Sequence, residues 1–330
     1  MYGMRIPNNT MVGDLTNAVE EGRDAYSRLQ IQIASGNKYL NRSDNPIETN
    51  EAASINNSNL RLEQWGKNVV TADSWEKATD ATLQNILGSL QRANELVVQS
   101  NDGAMAMAKS SIAMEVDSII ESLTQSANSQ YTGQYMFAGQ GGTGMTGNDP
   151  FLVTRDAAGK ITAVTYQGGT ERKNAQISDT GTSEYGLVGE GSASPSAKQD
   201  IGIFKFTSLE DDGSGTFVNQ EVHTFDELIK WRDKLESGDT TDWDQTLSRV
   251  QGGLEQVVNK VIDNASSQQK FQSLGKNVAA LSTSQINRLS DLEDLDMTAA
   301  ITELTSMQSN LQASLQMITR MNAMSIVNFI

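Results

Sequence analysis

Two stretches of the sequence place apolar residues at the spacings that bury one stripe of a helix against another helix. In the first, spacings of three and four alternate through Val12, Leu15, Val19, Gly22, Tyr26, Leu29 and Ile33. In the second, an apolar residue recurs every seven positions, skipping only Glu76, through Ile55, Leu62, Val69, Leu83, Leu90 and Val97. Such heptads are typical of helices that pack side by side. The sequence therefore predicts long helices paired as coiled coils.

Short signals separate the predicted helices. Gly36 lies where a helix commonly ends on a left-handed glycine, and Asp44 or Asn45 can cap a helix that begins at Pro46. This second helix should extend to about Ser100, giving a rod of roughly 80 Å at ~1.5 Å per residue. A third helix is predicted to follow, with an apolar stripe of Val116, Ile119, Ile120, Leu123 and Ala127.

The middle of the chain changes from helical to β character. Glycine-rich turns alternate with β-branched or aromatic runs, such as "ITAVTY" at 161–166 and "IGIFKFTS" at 201–208. Helical periodicity returns at "TFDELIKWRDKL", and Asp294 or Asp296 can cap a final helix. The predicted fold is mainly α, with long antiparallel helical rods or coiled coils from both chain ends and a small β-rich inserted domain.

These patterns divide the chain into three predicted domains. Residues 1–44 and 295–330 form a terminal helical coiled-coil domain, because both segments carry almost uncharged apolar seams. Residues 45–139 and 223–294 form a helical rod domain. Residues 140–222 form the small β-rich domain.

Composition argues against several classes of protein. The net charge is −16, so a nucleic-acid partner is not expected, because binding to phosphates requires a basic surface. Cysteine is absent and His223 is the only histidine, which argues against disulfides, thiolate chemistry and most metal sites. His223 precedes "TFDEL" and is interpreted as a helix-entry residue. We expect no catalytic site and no cofactor, so the sequence does not predict an enzyme.

Neither a membrane span nor a cleaved secretory signal is expected. No stretch reaches the ~18 apolar residues that a membrane-spanning helix requires. The first residues, "MYGMRIPNNTMVGDL", lack the basic and continuous apolar regions of a signal peptide. Any export is therefore expected to use a route without a cleaved signal.

The last stretch, from Met297 to Ile330, carries only Glu303 and Arg320 as charged residues. Its apolar side chains are interspersed with serine, threonine, glutamine and asparagine. A helix of this kind suits an environment in which several sides contact protein and the rest contact water. The residues predicted to pack between helices or subunits are Val12, Leu15, Val19, Tyr26, Leu29, Ile33, Leu304, Leu311, Leu315, Ile318, Met321 and Ile326.

Several sequence words resemble the flagellin-type axial proteins of the bacterial flagellum. The segment "LQIQIASGNKYLNRSDNPIETNEA" is similar to the family's helix, "SG" and "SDDP" segment, with Asn45 in place of the second aspartate. "GQYMFAG" at 133–139 resembles the "GRYLFSG" word of hook-associated members, and "YQGG" at 166–169 is also shared. The final segment from "LEDLDMTAA" to "SIVNFI" looks like the end of the same members. The resemblance covers roughly 1–140 and 223–330.

The resemblance implies a structural function in the extracellular part of the bacterial flagellum. It implies a ring of eleven subunits at the hook-filament junction, joining the first hook-associated protein to flagellin by helical packing. It also implies export through the flagellar type III route, with a hook-associated export chaperone that binds Leu304, Leu311, Leu315 and Ile318. Two alternatives are a minor flagellin of the filament and a secreted coiled-coil adhesin or translocator.

Overall fold

The computed structural model describes the backbone of residues 8–100, 109–140, 149–191, 201–211, 217–239 and 241–327. Side chains are described for residues 13–100, 109–140, 149–191, 201–209, 218–239 and 241–320.

Long helices dominate the described residues, as the heptads predicted. They are α1 (Asn8–Ser35), α2 (Pro46–Ser100), α3 (Lys109–Ala127), α4 (Thr224–Ser237), α5 (Trp243–Glu293) and α6 (Met297–Val327). The predicted bounds of α2 are confirmed at both ends. The apolar stripe predicted for α3 is buried, so this helix packs with the predicted face inward.

The signals at the helix ends act as predicted. Gly36 has φ = 74°, the left-handed conformation that ends α1. Of the two capping candidates before each helix, the structure uses Asn45 for α2 and Asp296 for α6. The Asn45 Oδ1 accepts a hydrogen bond of 3.2 Å from the Glu48 amide, and the Asp296 Oδ1 accepts one of 2.9 Å from the Thr298 amide. These bonds satisfy amides that a helix start leaves without partners.

The β structure consists of antiparallel two-stranded ribbons, each formed by strands consecutive in the chain. The ribbons pair β1 (Gln130–Tyr131) with β2 (Gln134–Tyr135), β3 (Phe151–Arg155) with β4 (Ile161–Tyr166), β5 (Lys173–Gln176) with β6 (Thr182–Tyr185), and β7 (Lys205–Asp211) with β8 (Phe217–His223). The "ITAVTY" prediction is confirmed by β4. In "IGIFKFTS" the strand begins only at Lys205, because Gly202 has φ = 97° and turns the backbone before it.

The chain divides into two compact units. Unit 1 comprises Met1–Glu63 and Ala280–Ile330, and unit 2 comprises Gln64–Ala279. Both units contain segments from the two halves of the sequence, in line with the predicted outgoing and returning helices. The division into three domains at 44, 139, 222 and 294 stays a prediction.

Unit 2 has a dense core made by helices and β ribbons together. Its largest fully buried side chains include Trp231, Phe137, Phe151, Phe204, Leu83 and Leu90. Arg232 is also buried, and its Nη1 donates hydrogen bonds of 2.7 Å to the Asp117 carboxylate and of 2.7 Å to the Ile161 carbonyl oxygen. This cation connects α4 with α3 and β4, which compensates for its removal from water.

Two of the sequence motifs shared with flagellin-type proteins, "GQYMFAG" and "YQGG", contact each other in unit 2. The Tyr166 hydroxyl lies 2.9 Å from the Phe137 carbonyl oxygen and 2.7 Å from that of Gly169. The Gly169 amide donates a hydrogen bond of 2.6 Å to the Ala138 carbonyl oxygen. Gly139 has φ = 69°, and a Cβ there would stand 2.4 Å from the Gly169 oxygen. We call these contacts the tyrosine lock; it requires glycine at 139.

Candidate subunit interface

Helices α1 and α6 of unit 1 form an antiparallel pair. Where α1 ends and α6 begins, the Lys38 amide donates a hydrogen bond of 2.7 Å to the Glu293 carbonyl oxygen. The Leu295 amide donates one of 2.9 Å to the Gly36 carbonyl oxygen. These backbone bonds join the end of α1 to the start of α6, so they fix the register of the two helices.

A close contact further along the pair agrees with that register. A Cβ at Gly22 would stand 3.1 Å from the Leu311 Cδ2. The missing side chain at Gly22 therefore leaves room for the Leu311 side chain between α1 and α6. One heptad away in opposite directions, Leu29 and Leu304 lie at the same level of an antiparallel pair. The glycine in the predicted seam therefore has a packing role that the spacing alone did not show.

Most of the predicted packing residues line this pair. Val19 and Leu29 are each 7% exposed, the lowest values in α1. The half-buried members of the predicted set are Leu15, Tyr26, Ile33, Leu304, Leu311 and Ile318. The side chains of Val12, Met321 and Ile326 lie outside those that the structure describes. The seam of α6 runs at spacings of four and three through Ala300, Leu304, Met307, Leu311, Ser314 and Ile318.

Leu315 lies outside this seam, although the sequence grouped it with Leu311. Its side chain is 50% exposed, because Ser314 occupies the seam position next to it. Its role in packing between subunits stays a prediction. Other large apolar side chains of unit 1 share this exposure, namely Ile31, Ile47, Leu60, Leu281, Ile286, Met297, Ile301 and Met317. These exposed apolar side chains make the surface of unit 1 a candidate for contacts with other subunits.

Polar contacts fix the turn between α1 and α2. The Tyr39 hydroxyl donates a hydrogen bond of 2.8 Å to the Glu48 Oε2, and the Lys38 Nζ lies 3.2 Å from the same oxygen. The Tyr39 hydroxyl and the Lys38 ammonium hold the pKa of the Glu48 carboxyl below its ordinary value. The turn is thus held by one carboxylate that contacts two side chains, next to the backbone bonds that set the helix pair.

The described residues show no arrangement suited to metal binding or to crossing a membrane. No three Asp, Glu or His side chains among them cluster as metal ligands would. None of the described helices is both long and apolar enough to span a bilayer. His223 lies at the start of α4, as predicted, and its Nδ1 is 3.1 Å from the Glu190 Oε1.

One buried residue was not foreseen as important. Glu76 lies in the interior of unit 2, where a charged side chain is unusual. Its signal in the sequence is the single heptad position at which the apolar repeat of α2 is interrupted.

Two family models match the chain at its helical regions. Residues 6–141 match the bacterial flagellin N-terminal helical region, and residues 253–330 match the bacterial flagellin C-terminal helical region. Together the two matches span well over half of the chain. The chain belongs to the bacterial flagellin family, and the resemblance read from its sequence words is confirmed.

Individual relatives agree with this membership. Flagellar hook-associated protein 3 of Escherichia coli K12 is 22% identical, over 98% of both chains. Flagellar hook-associated protein 3 of Salmonella typhimurium LT2 is 24% identical, again over 98% of both chains. The solved structure of the flagellar junction protein FlgL from Legionella pneumophila aligns with a TM-score of 0.51 at 14% identity. That alignment covers 73% of this chain and 100% of the other, and it shows a shared fold.

Proposed function

We propose that this chain is a structural junction protein of the bacterial flagellum, joining the hook-associated ring to the flagellin filament by helical subunit packing. The main observation that supports this proposal is that α1 and α6 pack through an apolar seam and carry further apolar side chains on their exposed faces. The full-length likeness to two proteins named flagellar hook-associated protein 3 supports the same role.

The two faces of α6 have different tasks in this proposal. Leu304, Leu311 and Ile318 pack within the subunit against α1. Ile301 and Leu315, each about half exposed, pack against neighbouring subunits. Burial of these side chains in the assembly removes apolar surface from water at about 25 cal/mol per Å².

The partners follow from the family. Copies of the chain form a ring of eleven subunits that contacts the first hook-associated protein on one side and flagellin on the other. The protein then acts outside the cell, at the hook-filament junction, after export by the flagellar type III route without a cleaved signal peptide. The predicted packing residues, from Val12 to Ile33 and from Leu304 to Ile326, supply both the packing of α1 on α6 within a subunit and the packing between subunits.

A pair of substitutions on α6 tests the outer face. Leu315→Asp should leave the isolated protein folded, because the side chain is half exposed, but it should abolish attached filaments and release flagellin into the medium. The measurements are motility and secreted flagellin in a strain that carries the variant as its only copy, next to a strain that lacks the gene. Gln312→Asp, at another exposed position of α6, is the matched control and should preserve motility.

Two results would contradict the proposal. Attached filaments of normal length in the strain that lacks the gene would show that the chain is not a junction protein and would favour a minor flagellin. Equal loss of motility with Leu315→Asp and Gln312→Asp would show that added charge, and not the lost apolar contact, is responsible.

The same helix is the proposed ligand of an export chaperone. An amphipathic helix commonly binds in a groove through residues spaced along one face. If the chaperone binds α6 apart from α1, it contacts the seam, and Leu311→Asp should abolish the complex. If it binds the paired helices, Leu315→Asp should abolish it instead. Undiminished binding by both purified variants would refute a chaperone site among Leu304, Leu311, Leu315 and Ile318.

A further inference from the structure

Glu76 lies at the seam of α2 within the core of unit 2. Its side chain is fully buried, as are those of Ala72 and Leu83 at neighbouring seam positions. A carboxyl group in such a place needs partners, since burial of an uncompensated charge is costly. The partners of Glu76 come from two other parts of unit 2.

Hydrogen bonds connect Glu76 to the segment after β6 and to α5. The Glu76 Oε1 accepts a hydrogen bond of 3.0 Å from the Gly186 amide. The Glu76 carbonyl oxygen accepts one of 3.1 Å from the Asn264 Nδ2 and a longer one of 3.4 Å from the Gln268 Nε2. One residue of α2 therefore holds both a β-rich segment and the returning helix.

The approach of Gly186 to α2 is unusually close. Gly186 has φ = 71°, and a Cβ there would stand 2.9 Å from the Trp75 Nε1. Trp75 in turn packs edge-on against Tyr131 and Tyr185, with ring centroids 5.7 Å and 6.3 Å away. The Gly186 amide reaches the carboxyl group because no side chain stands between this backbone and the helix.

The groups around Glu76 shift its pKa in opposite directions. Burial, together with the nearby Asp73 carboxylate, raises the pKa of Glu76 to about 7. The Gly186 amide, the Arg172 guanidinium of the segment before β5 and the Ser267 hydroxyl of α5 act in the opposite direction. Burial, together with Glu76, raises the pKa of Tyr185 on β6, and the Lys173 Nζ on β5 lies 3.7 Å from the centroid of the Trp75 ring.

The site also has acceptors that lack donors among the described residues. The Glu76 Oε2 is buried without a hydrogen-bond partner there, and so is the Asn264 Oδ1. A proton on Glu76 removes a buried charge and turns one of these acceptors into a donor. The neutral carboxyl still accepts the Gly186 amide through its other oxygen. That bond is weaker than one to a carboxylate, but the removal of a buried charge outweighs the loss, because burial is the largest influence on this carboxyl.

We propose that Glu76 is a proton-controlled clasp, which holds the segment at Gly186 on α2 when its carboxyl is neutral and loosens that segment when the carboxyl is ionised. The clasp is independent of the junction function, since it concerns only unit 2. It makes docking of a β-rich segment on the helices depend on the pH around the protein.

The direction of the effect follows from the two pKa values. The pKa of Glu76 is about 7 in the closed state and near 4.5 for a carboxyl exposed to water. The stabilisation is therefore complete below pH 4.5 and is lost as the pH rises through 7. Between pH 6 and pH 8 the equilibrium between closed and open clasp should shift about tenfold towards the open state.

Amide hydrogen exchange of the full chain tests the clasp. Protection factors, which correct for the intrinsic pH dependence of exchange, are compared at pH 6 and pH 8 for peptides that contain Gly186. Wild type should show about tenfold greater protection at pH 6. Glu76→Gln should remove this pH dependence, because an amide is neutral at both values. Glu95→Gln, on an exposed side of α2, is the matched control and should keep it.

Each alternative outcome overturns the proposal. Equal protection of the Gly186 peptide at both pH values in wild type shows that no proton controls the segment, whether or not any variant folds. A tenfold change that is shared by peptides from α3 shows global unfolding instead of a clasp. Wild-type pH dependence in Glu76→Gln assigns the titration to another group.

Discussion

Units 1 and 2 differ in what they bury, even where they share a helix. Leu83, a seam residue in the unit 2 part of α2, is 0% exposed, whereas Ile55 and Leu62, seam residues in the unit 1 part of the same helix, are 8% and 4% exposed. Leu60, on another face of the unit 1 part, is 65% exposed. Every large side chain that is fully buried among the described residues belongs to unit 2. Unit 2 therefore contains the densest core among the described residues, while unit 1 leaves apolar side chains exposed that our proposal assigns to contacts between subunits.

The difference begins with side-chain size. Unit 2 fills its interior with aromatic side chains, such as Phe151, which packs 5.3 Å from Phe204 and 5.8 Å from Phe225 between ring centroids. The α1–α6 pair of unit 1 places Gly22 and Ser314 in its seam. A pair of helices with small seam residues encloses little volume, so its outer faces stay available to neighbours.

The largest expected effect separates the two parts of α2. Leu83→Ala should lower the free energy of unfolding by about 2–5 kcal/mol, because it leaves a cavity in a fully packed core. Leu60→Ala, the matched control in unit 1, should change it by less than about 0.5 kcal/mol. Urea unfolding followed by circular dichroism measures both. Similar losses for the two variants would end the distinction between the units.

A smaller effect is expected in the seam of unit 1. Leu29→Ala should destabilise the α1–α6 pair by about 1–2 kcal/mol, less than a core leucine, because the pair can close around a smaller side chain. Ile31→Ala, on the exposed side of α1, should have almost no effect. Proteolysis at the chain ends, quantified by mass spectrometry, reads out the pair directly. Faster cleavage in Ile31→Ala than in Leu29→Ala would contradict the assigned faces.

The smallest effect concerns pH and belongs to unit 2 alone, which contains the only histidine. The Glu190 carboxylate, 3.1 Å away, raises the pKa of His223, with Asp226 acting in the same direction and Lys205 against it. Its stabilisation is thus present below pH 6.5 and is lost as the pH rises above the raised pKa. His223→Gln should lower Tm at pH 6, with a loss in the free energy of unfolding of less than about 1 kcal/mol. It should leave Tm at pH 9 unchanged. A larger loss at pH 9 would contradict the ion pair.

The helices could be predicted from the sequence because their signals are local. A glycine at 36, an amide cap at 45 and a heptad repeat each act within a few residues. The bounds of α2 followed from such signals, and so did the burial of Leu83, Leu90 and Val97 on the predicted seam.

The faces of α6 and the role of Glu76 could not be predicted in the same way. Whether Leu315 or Ser314 enters the seam depends on the register with α1, and that register is set by backbone bonds between residues 36–38 and 293–295. Glu76 depends on Gly186, which is far away in the chain. The interruption of the repeat showed that something differs at Glu76, but not which group it contacts.

The tyrosine lock has a consequence for how this chain can be engineered. Apart from the Tyr166 hydroxyl, its bonding atoms are main-chain groups, and its strict demands are the missing Cβ at Gly139 and the missing Cβ at Gly168, which would stand 2.2 Å from the Tyr166 hydroxyl oxygen. These contacts therefore do not depend on the side chains of most of the β-rich residues that they hold in place. A foreign hairpin grafted in place of β5 and β6 should be carried on the same attachment, provided that the words "MFAG" and "YQGG" are retained.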